Sequence, residues 1–464
     1  MKLVIKFGGT SVGTPDALRN AAQVVKTQKQ AGHQICVVTS AMSGITDQLV
    51  EFSQIAVDEI ADEKLVMRIM DFVHGLEDRH AAAVAELIDD EEIREQTIID
   101  IGQECRMLER VLMGLHFLGE VSPSANDLVQ SAGERLAAPM LAGIIRSVGV
   151  EARAVKGTEA GIITDEHWGE AIPDVAETRK RVPEALNPLI DKGVVPVVTG
   201  FYGATPNGRP ALLGRGGSDY VAGLIGDALN ADEVWIMTDV DGVRSADPRI
   251  VPEAAILDTV TWQEAIELAY FGAKVLHPKT LIPLREKGIS AYVKNTFQPD
   301  ASGTVATFGS VDVEHPVRVI ANREEIALAY VSSVGFQPDV QDPMALILEP
   351  LRRADVPIYV QARSSAQVQY AIALEERHVD QLTSIALPDT LRVHVDRGFS
   401  MVTLVGENLS ANPKVLEMFV AVLNAHDIHI QAIVGNPKGC SISSILPEGR
   451  SQDAVRVLHK QFIG

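Results

Sequence analysis

The chain has 464 residues, 46% apolar and 22% charged, the balance of a soluble globular protein in a length that predicts about three domains. Its 41 basic against 62 acidic side chains leave a formal charge of −21, which argues against nucleic acid as a partner because that affinity needs dense Lys and Arg contacts to phosphate. No uninterrupted run of 18 apolar residues marks a membrane span, and Cys36, Cys105 and Cys440 are too scattered for a disulfide framework or a metal cluster, so a reducing cytoplasm is expected.

In chain order, MKLVIK opens as a strand, and Gly8 and Gly9 end its apolar run too soon for a secretory segment. Residues 16–30 read as a helix and 34–40 as a second strand, a β-α-β unit. Residues 55–120 are mostly helical, rich in Ala, Leu, Glu and Arg, while 193–201 and 233–240 are short β-branched runs of buried strands. This alternation predicts an α/β fold to about residue 310, an open, mostly parallel sheet with helices on both faces.

After Thr304 the order changes. Strands at 327–333, 357–364 and 368–374, with helices near 343–354 and 376–385, form one β-α-β-β-α unit, followed by a strand at 391–395. Strands at 400–406, 428–434 and 440–446, with helices at 412–425 and from Ser451, repeat it. The repeat is about 70–75 residues and predicts two α+β units, 311–395 and 396–464. The second copy has no closing strand, so LRVHV at 391–395 is expected to be shared. Pro350 should kink or shorten its helix. Ser451 is the expected N-cap of the last helix, whose Val455, Leu458 and Phe462 share a face.

Five segments carry polar groups in patterns that suit chemistry. KFGGTSVG (6–13) is either a plain tight turn or a phosphate-holding loop. It has Thr10 where a dinucleotide fingerprint needs Gly, and Lys6 precedes the glycines instead of following them. What remains is an anion nest of free N–H groups at Gly8, Gly9 and Ser11, with Lys6 aimed at it from the strand end. LLGRGGSDY (212–220) is a loop with a surface ion pair or a second anion site, where Arg215 offers its fork to a carboxylate beside Ser218 and Asp219. WIMTDVDGVRSADPR (235–249) runs from Thr238 and Asp239 to Arg244 and Arg249. Val243 and Ile250 exclude a calcium loop there, and open α/β sheets bind ligands beyond such strand ends. In VTSAMSGITDQL (38–49) and SAGERLAAPM (131–140), Ser40, Ser43 and Thr46 are caps or ligands, and Glu134 complements a helix dipole or faces a substrate. His74, His80, His426 and His429 read as ordinary.

Taken in order, KFGGTSVG, SAMSGIT, SAGERL, GRGGSDY, TDVDGV with ADPR, and FGAKVLHP (271–278) resemble the successive signatures of aspartate kinases in the amino-acid kinase superfamily, over about 300 residues. The C-terminal repeats resemble paired ACT regulatory domains of βαββαβ type. No dehydrogenase module follows, so the resemblance is to the monofunctional type. It implies that ATP and L-aspartate give 4-phospho-L-aspartate and ADP, the first committed step toward lysine, threonine and methionine. Mg²⁺ is expected on the nucleotide phosphates, with no protein cage. The acceptor carboxylate is already ionised at neutral pH, so no base is needed. The difficulty is bringing it against a polyanionic triphosphate, which calls for positioning and fixed positive charge.

By this resemblance Lys6 contacts the transferred phosphate with Gly8, Gly9 and Ser11 nearby, and Asp219 orients Lys6 or acts through magnesium. Ser40, Thr46, Glu134, Arg215 and Ser218 hold aspartate, with Arg215 on its α-carboxylate and Glu134 near its ammonium or the binding hydroxyls. Thr238, Asp239, Arg249 and Lys274 line the ATP site, and Arg244 stands where many relatives carry an aromatic residue. Ala345, Leu346, Gln361 and Ser365 are the effector positions for threonine or lysine. Relatives often have Gly-Phe-Leu at that helix start and an acid after the next strand. This chain has Met344-Ala345-Leu346 and Gln361, which weakens the case for an effector ammonium there. Pairing of the repeats predicts a homodimer or higher oligomer. Two rivals remain: a kinase of glutamate, carbamate or a nucleoside monophosphate, and an inert amino-acid sensor. Intact Lys6, Asp219 and Lys274 count against the sensor.

Overall fold

The computed structural model describes the chain except residues 59–63, 272–275, 310–315, 334–342, 355, 365–368, 408, 410–411 and 436–438. Two compact units form: one from 1–243, 258–262 and 275–310, the other from 244–257, 263–274 and 311–464. No described helix is long and apolar enough to cross a membrane.

The first unit runs β1 (Lys2–Phe7), α1 (Pro15–Gln30), β2 (Gln34–Thr39), α2 (Ile45–Asp58), α3 (Leu65–Leu87), α4 (Glu91–Leu118), α5 (Pro123–Gln130), α6 (Ala132–Ser147), β3 (Ala152–Val155), α7 (Val175–Ile190) and β4 (Val195–Thr199). A small hairpin, β5 (Tyr202–Ala204) and β6 (Pro210–Leu212), precedes α8 (Gly217–Ala228) and β7 (Glu233–Thr238). Then come β8 (Thr259–Thr261), α9 (Trp262–Tyr270), most of which clusters with the second unit, α10 (Pro278–Leu284), β9 (Ser290–Asn295) and β10 (Thr304–Thr307).

Eight strands form one sheet in the order β3-β4-β2-β1-β7-β9-β10-β8. All neighbours are parallel except β9 and β10, as the alternation predicts. The apolar run of β1 has Leu3, Val4, Ile5 and Phe7 fully buried, because helices cover both faces of the sheet. Thr14 caps α1 by accepting the Ala17 N–H at 3.2 Å, Pro15 opens it, and Leu18, Ala21, Ala22 and Val25 turn inward. Helix α6 is buried from Ala132 to Ile145, which fits its small and apolar residues. The chain lays β2 on one side of β1 and β7 on the other. The carboxyl ends of β1 and β7 therefore flank the topological switch point, where open α/β sheets form ligand crevices.

The second unit is built on β11 (Val319–Ser333), α11 (Pro343–Arg353), β12 (Val360–Ser364), β13 (Gln369–Glu375), α12 (Val379–Thr383), β14 (Leu391–Val405), α13 (Pro413–Ala425), β15 (Ala432–Gly435), β16 (Ser441–Pro447) and α14 (Ser451–Phe462). Its six strands are antiparallel throughout, in the order β12-β13-β11-β14-β16-β15. Two expectations change here. LRVHV is no separate closing strand but the first third of β14, whose 15 residues run on through the next apolar segment. Residues 319–323 of β11 pair with 401–405 of β14, beyond a register break at Arg323/Ile326 where Glu325 has φ 56°. Ser451 is not the N-cap: that position is Arg450, and the buried Ser451 hydroxyl donates to Glu324 and accepts from Asn322 at 2.9 Å. Helix α11 carries Pro350 and runs three residues past it, to Arg353.

Candidate active site

The carboxyl ends of β4, β2, β1 and β7 lie side by side and carry the polar motifs. The Ser40 N–H donates to the Phe7 carbonyl at 3.0 Å and the Gly200 N–H to Thr39 at 2.8 Å, so the strand ends are tied in register. Lys6, one residue from the end of β1, sends Nζ to Asp219 Oδ1 at 2.5 Å, with the two side chains 11% and 17% exposed. Asp219 lies in the first turn of α8, where a carboxylate complements the helix dipole. The pair is therefore a cation fixed on a rigid strand and braced from the neighbouring helix.

The expected nest of free amides is only partly present. The Gly8 N–H donates to the Met237 carbonyl at 3.2 Å and the Ser11 N–H to Gly8 at 2.9 Å, so neither is free for an anion. Ser11 is fully buried: its hydroxyl donates to Met237 at 3.1 Å and accepts from Thr296 at 2.6 Å, which fastens the turn to the end of β7. Of the three, only Gly9 keeps an unbonded amide among the described residues. Gly8 lies close to the ammonium: a Cβ there would sit 3.4 Å from Lys6 Nζ, an ordinary contact.

Glu134 is the other charged group at this point. It is 3% exposed; Oε1 accepts the Ala41 N–H at 3.1 Å, while Oε2 is buried with no partner among the described residues. Burial pushes its carboxyl up to about 8, against the pull of the Ala41 amide and of Lys6. The close approach is made by Gly133, where a Cβ would come within 2.6 Å of the Ala41 side chain. A buried carboxyl with one unsatisfied oxygen is unfavourable by about 1–3 kcal/mol unless something else meets it, and a ligand ammonium fits that need.

The remaining residues fall as follows. Arg215 is exposed, Ser40, Thr46 and Ser218 are half-buried, and Thr46 sits in the first turn of α2. The Thr238 hydroxyl donates to Asp239 at 3.1 Å, just past β7. Arg244 and Arg249 belong to the second unit: Arg244 donates to the Ala254 carbonyl at 2.9 Å, and the exposed Arg249 forks onto Asp247. Lys274 and Ser365 lie outside the described residues. Ala345 and Gln361 are exposed and Leu346 half-buried, on α11 and β12. Among the described residues no group of three His, Cys, Asp or Glu side chains is placed to hold a metal.

Sequence reasoning missed the supports behind these groups. Arg135, next to Glu134, lies 3.5 Å from Glu104, which Lys156 also meets at 2.7 Å. Asp127 and Lys279 brace the loop that carries Arg215. Only Lys279 had a local cue, standing just past the FGAKVLHP motif.

Comparison with known proteins follows the same lines. The amino acid kinase family model matches residues 1–295, and an ACT domain model matches 402–462. The chain is 30% identical to aspartokinase 1, chloroplastic, of Arabidopsis thaliana, across 99% of this chain and 80% of that protein. It is 29% identical to the bifunctional aspartokinase/homoserine dehydrogenase 1, chloroplastic, of the same plant, over 99% of this chain but 51% of the relative. It thus spans about half the length of several curated relatives it matches. The structure of E. coli aspartokinase III in complex with aspartate and ADP aligns over 100% of both chains, with TM-score 0.79 and 27% identity. That enzyme's complex with lysine and aspartate aligns with TM-score 0.80, again 27% identical, over 100% of this chain and 99% of that one.

Proposed function

The chain belongs to the amino acid kinase family, in its aspartokinase branch, and from this premise we propose that it phosphorylates the side-chain carboxylate of L-aspartate with ATP. A carboxylate oxygen attacks the γ-phosphorus and the bond to the β,γ-bridging oxygen breaks. ADP leaves with that electron pair, and 4-phospho-L-aspartate forms with no proton removed. The observation that carries this reading is the ammonium of Lys6, held by Asp219, beside the buried Glu134 with its unpartnered oxygen.

The roles follow from the charges. Lys6 would meet the transferring phosphoryl group, where a preorganised cation in a partly dry site acts strongly on developing charge. Asp219 would hold that ammonium in place. Glu134 would accept the substrate ammonium and Arg215 the α-carboxylate, with Ser40, Thr46 and Ser218 as hydroxyl partners. Gly8, Gly9, Thr238 and Asp239 would border the nucleotide phosphates, Ser11 serving to anchor that turn. A magnesium ion arriving on the phosphates would neutralise part of their charge. Residues 1–310 would be the catalytic part, with 311–395 and 396–464 as two ACT repeats that pair in a dimer and take an amino-acid effector, threonine or lysine.

ADP release from ATP with Mg²⁺ should depend on L-aspartate and not on L-glutamate or carbamate. Equal turnover with glutamate would refute the acceptor assignment, and no turnover with any acceptor would favour the sensor.

A further inference from the structure

Residues 212–217 form the loop that carries Arg215, and four of its positions are tied down. Asp127, on α5, is 1% exposed, and its Oδ2 accepts the N–H groups of Leu212 at 2.9 Å and Gly169 at 3.0 Å. The second strand of this tie is the 169–171 segment itself, whose Ala171 N–H donates to the Leu212 carbonyl at 2.7 Å. From α10, Lys279 Nζ donates to the Leu213 carbonyl at 2.9 Å and lies against Gly214, where a Cβ would be 3.4 Å away. The His277 ring presses on Gly216 so closely that a Cβ would come within 2.3 Å of it. Gly214 and Gly216 have φ of 71° and 72°, a path ordinary side chains resist. Amid these ties the Arg215 side chain is exposed.

We propose that Asp127 and Lys279 are positioning residues for the substrate: together they preset loop 212–217 so that the Arg215 guanidinium meets the substrate's α-carboxylate in its forked geometry. The proposal rests on the reading of Arg215 given above. Bidentate recognition of a carboxylate is geometric, so a misaimed fork loses most of its advantage. A loop already fixed before binding loses less freedom when the ligand arrives. Asp127 suits this task because one carboxylate oxygen accepts from both amides, tying the Gly169 segment to the loop at Leu212. Its Oδ1 is buried with no partner among the described residues, and burial raises its pKa against the help of both amides.

The test compares Asp127→Ala, Asp127→Asn and Lys279→Met in the full chain. Steady-state kinetics for aspartate and ATP are paired with amide exchange of the peptide spanning 212–217, read by mass spectrometry. The proposal predicts that Asp127→Ala and Lys279→Met raise KM for aspartate about tenfold or more, with kcat and the KM for ATP within about twofold. Exchange at 212–217 should quicken in both, and Asp127→Asn, which keeps an oxygen for the two amides, should recover most of the loss. Should Asp127→Ala fail to fold, Lys279→Met and Asp127→Asn carry the same comparison. Unchanged KM for aspartate with unchanged exchange would overturn the proposal, and so would a fall in kcat with both KM values unmoved, the signature of a purely structural role. No aspartate-dependent turnover in the wild type would overturn the substrate reading on which the proposal stands; exchange at 212–217 tells that failure apart from failure of the tie itself.

Discussion

If Glu134 receives the substrate ammonium, aspartate binding must be linked to loss of a proton from that residue. The carboxyl sits in a dry pocket with Oε2 unmatched, and burial pushes it up to about 8. The charged group facing it is Lys6, itself paired with Asp219. At pH 7 only about one free site in ten would then be ionised, and the apparent affinity falls by that fraction. Aspartate should bind about fifteenfold more tightly at pH 8 than at pH 6.5, and about 0.9 protons should be released per ligand at pH 7. The assay is calorimetric titration with aspartate at pH 6 to 8 in buffers of different ionisation enthalpy. Glu134→Gln should abolish both the pH slope and the released proton, and weaken binding by at least about tenfold through loss of a charge-assisted bond. Equal affinity across this range with no proton released would refute the reasoning, since Glu134 would then be ionised before the ligand arrives.

Other consequences are separable. Glu134 also affects stability: its raised carboxyl favours folding below the unfolded value near 4.5, and that contribution is lost as pH rises through about 8, so Glu134→Gln should flatten the melting temperature across that interval. His80, fully buried with Nε2 unpartnered among the described residues, is lowered to about 4 by burial. It contributes stability above pH 6.5 that is lost as pH falls through 4, so His80→Leu should flatten the acid limb of a urea midpoint plotted from pH 7 to 4. Gly133→Ala forces a methyl against Ala41 and should destabilise by about 1–3 kcal/mol in denaturant titration, while raising KM for aspartate by shifting the Ala41–Glu134 contact.

How much could be read in the sequence depended on where the information resides. Strands β1 and β7 were legible because burial on both faces demands continuous apolar runs, and helix α1 was legible from residue 16 although its Thr14 cap and Pro15 start were not read. Lys6, Glu134, Arg215 and Asp219 were legible as polar groups lodged at strand ends and helix starts. The use of the Gly8 and Ser11 amides was not, because Met237 comes close only once β7 pairs beside β1 more than 220 residues later. Asp127 was hidden for the same reason, since its partners, Gly169 and Leu212, are remote in the chain. In the second unit the repeat was visible in element order. The register break that lets one long strand pair 319–323 and 326–333 with different parts of another has no motif of its own. Nor does any boundary signal mark residues 244–257 and 263–274 as belonging with that unit.

The central claim is that Lys6 stabilises phosphoryl transfer to a carboxylate, and one trapping experiment addresses it directly. Wild-type chain and Lys6→Ala are incubated with ATP, Mg²⁺ and L-aspartate in the presence of hydroxylamine, which converts an acyl phosphate to a hydroxamate. The account predicts aspartyl hydroxamate from the wild type and a fall of at least about a hundredfold in Lys6→Ala, with folding unchanged by circular dichroism. Hydroxamate formed at the wild-type rate by Lys6→Ala would contradict it.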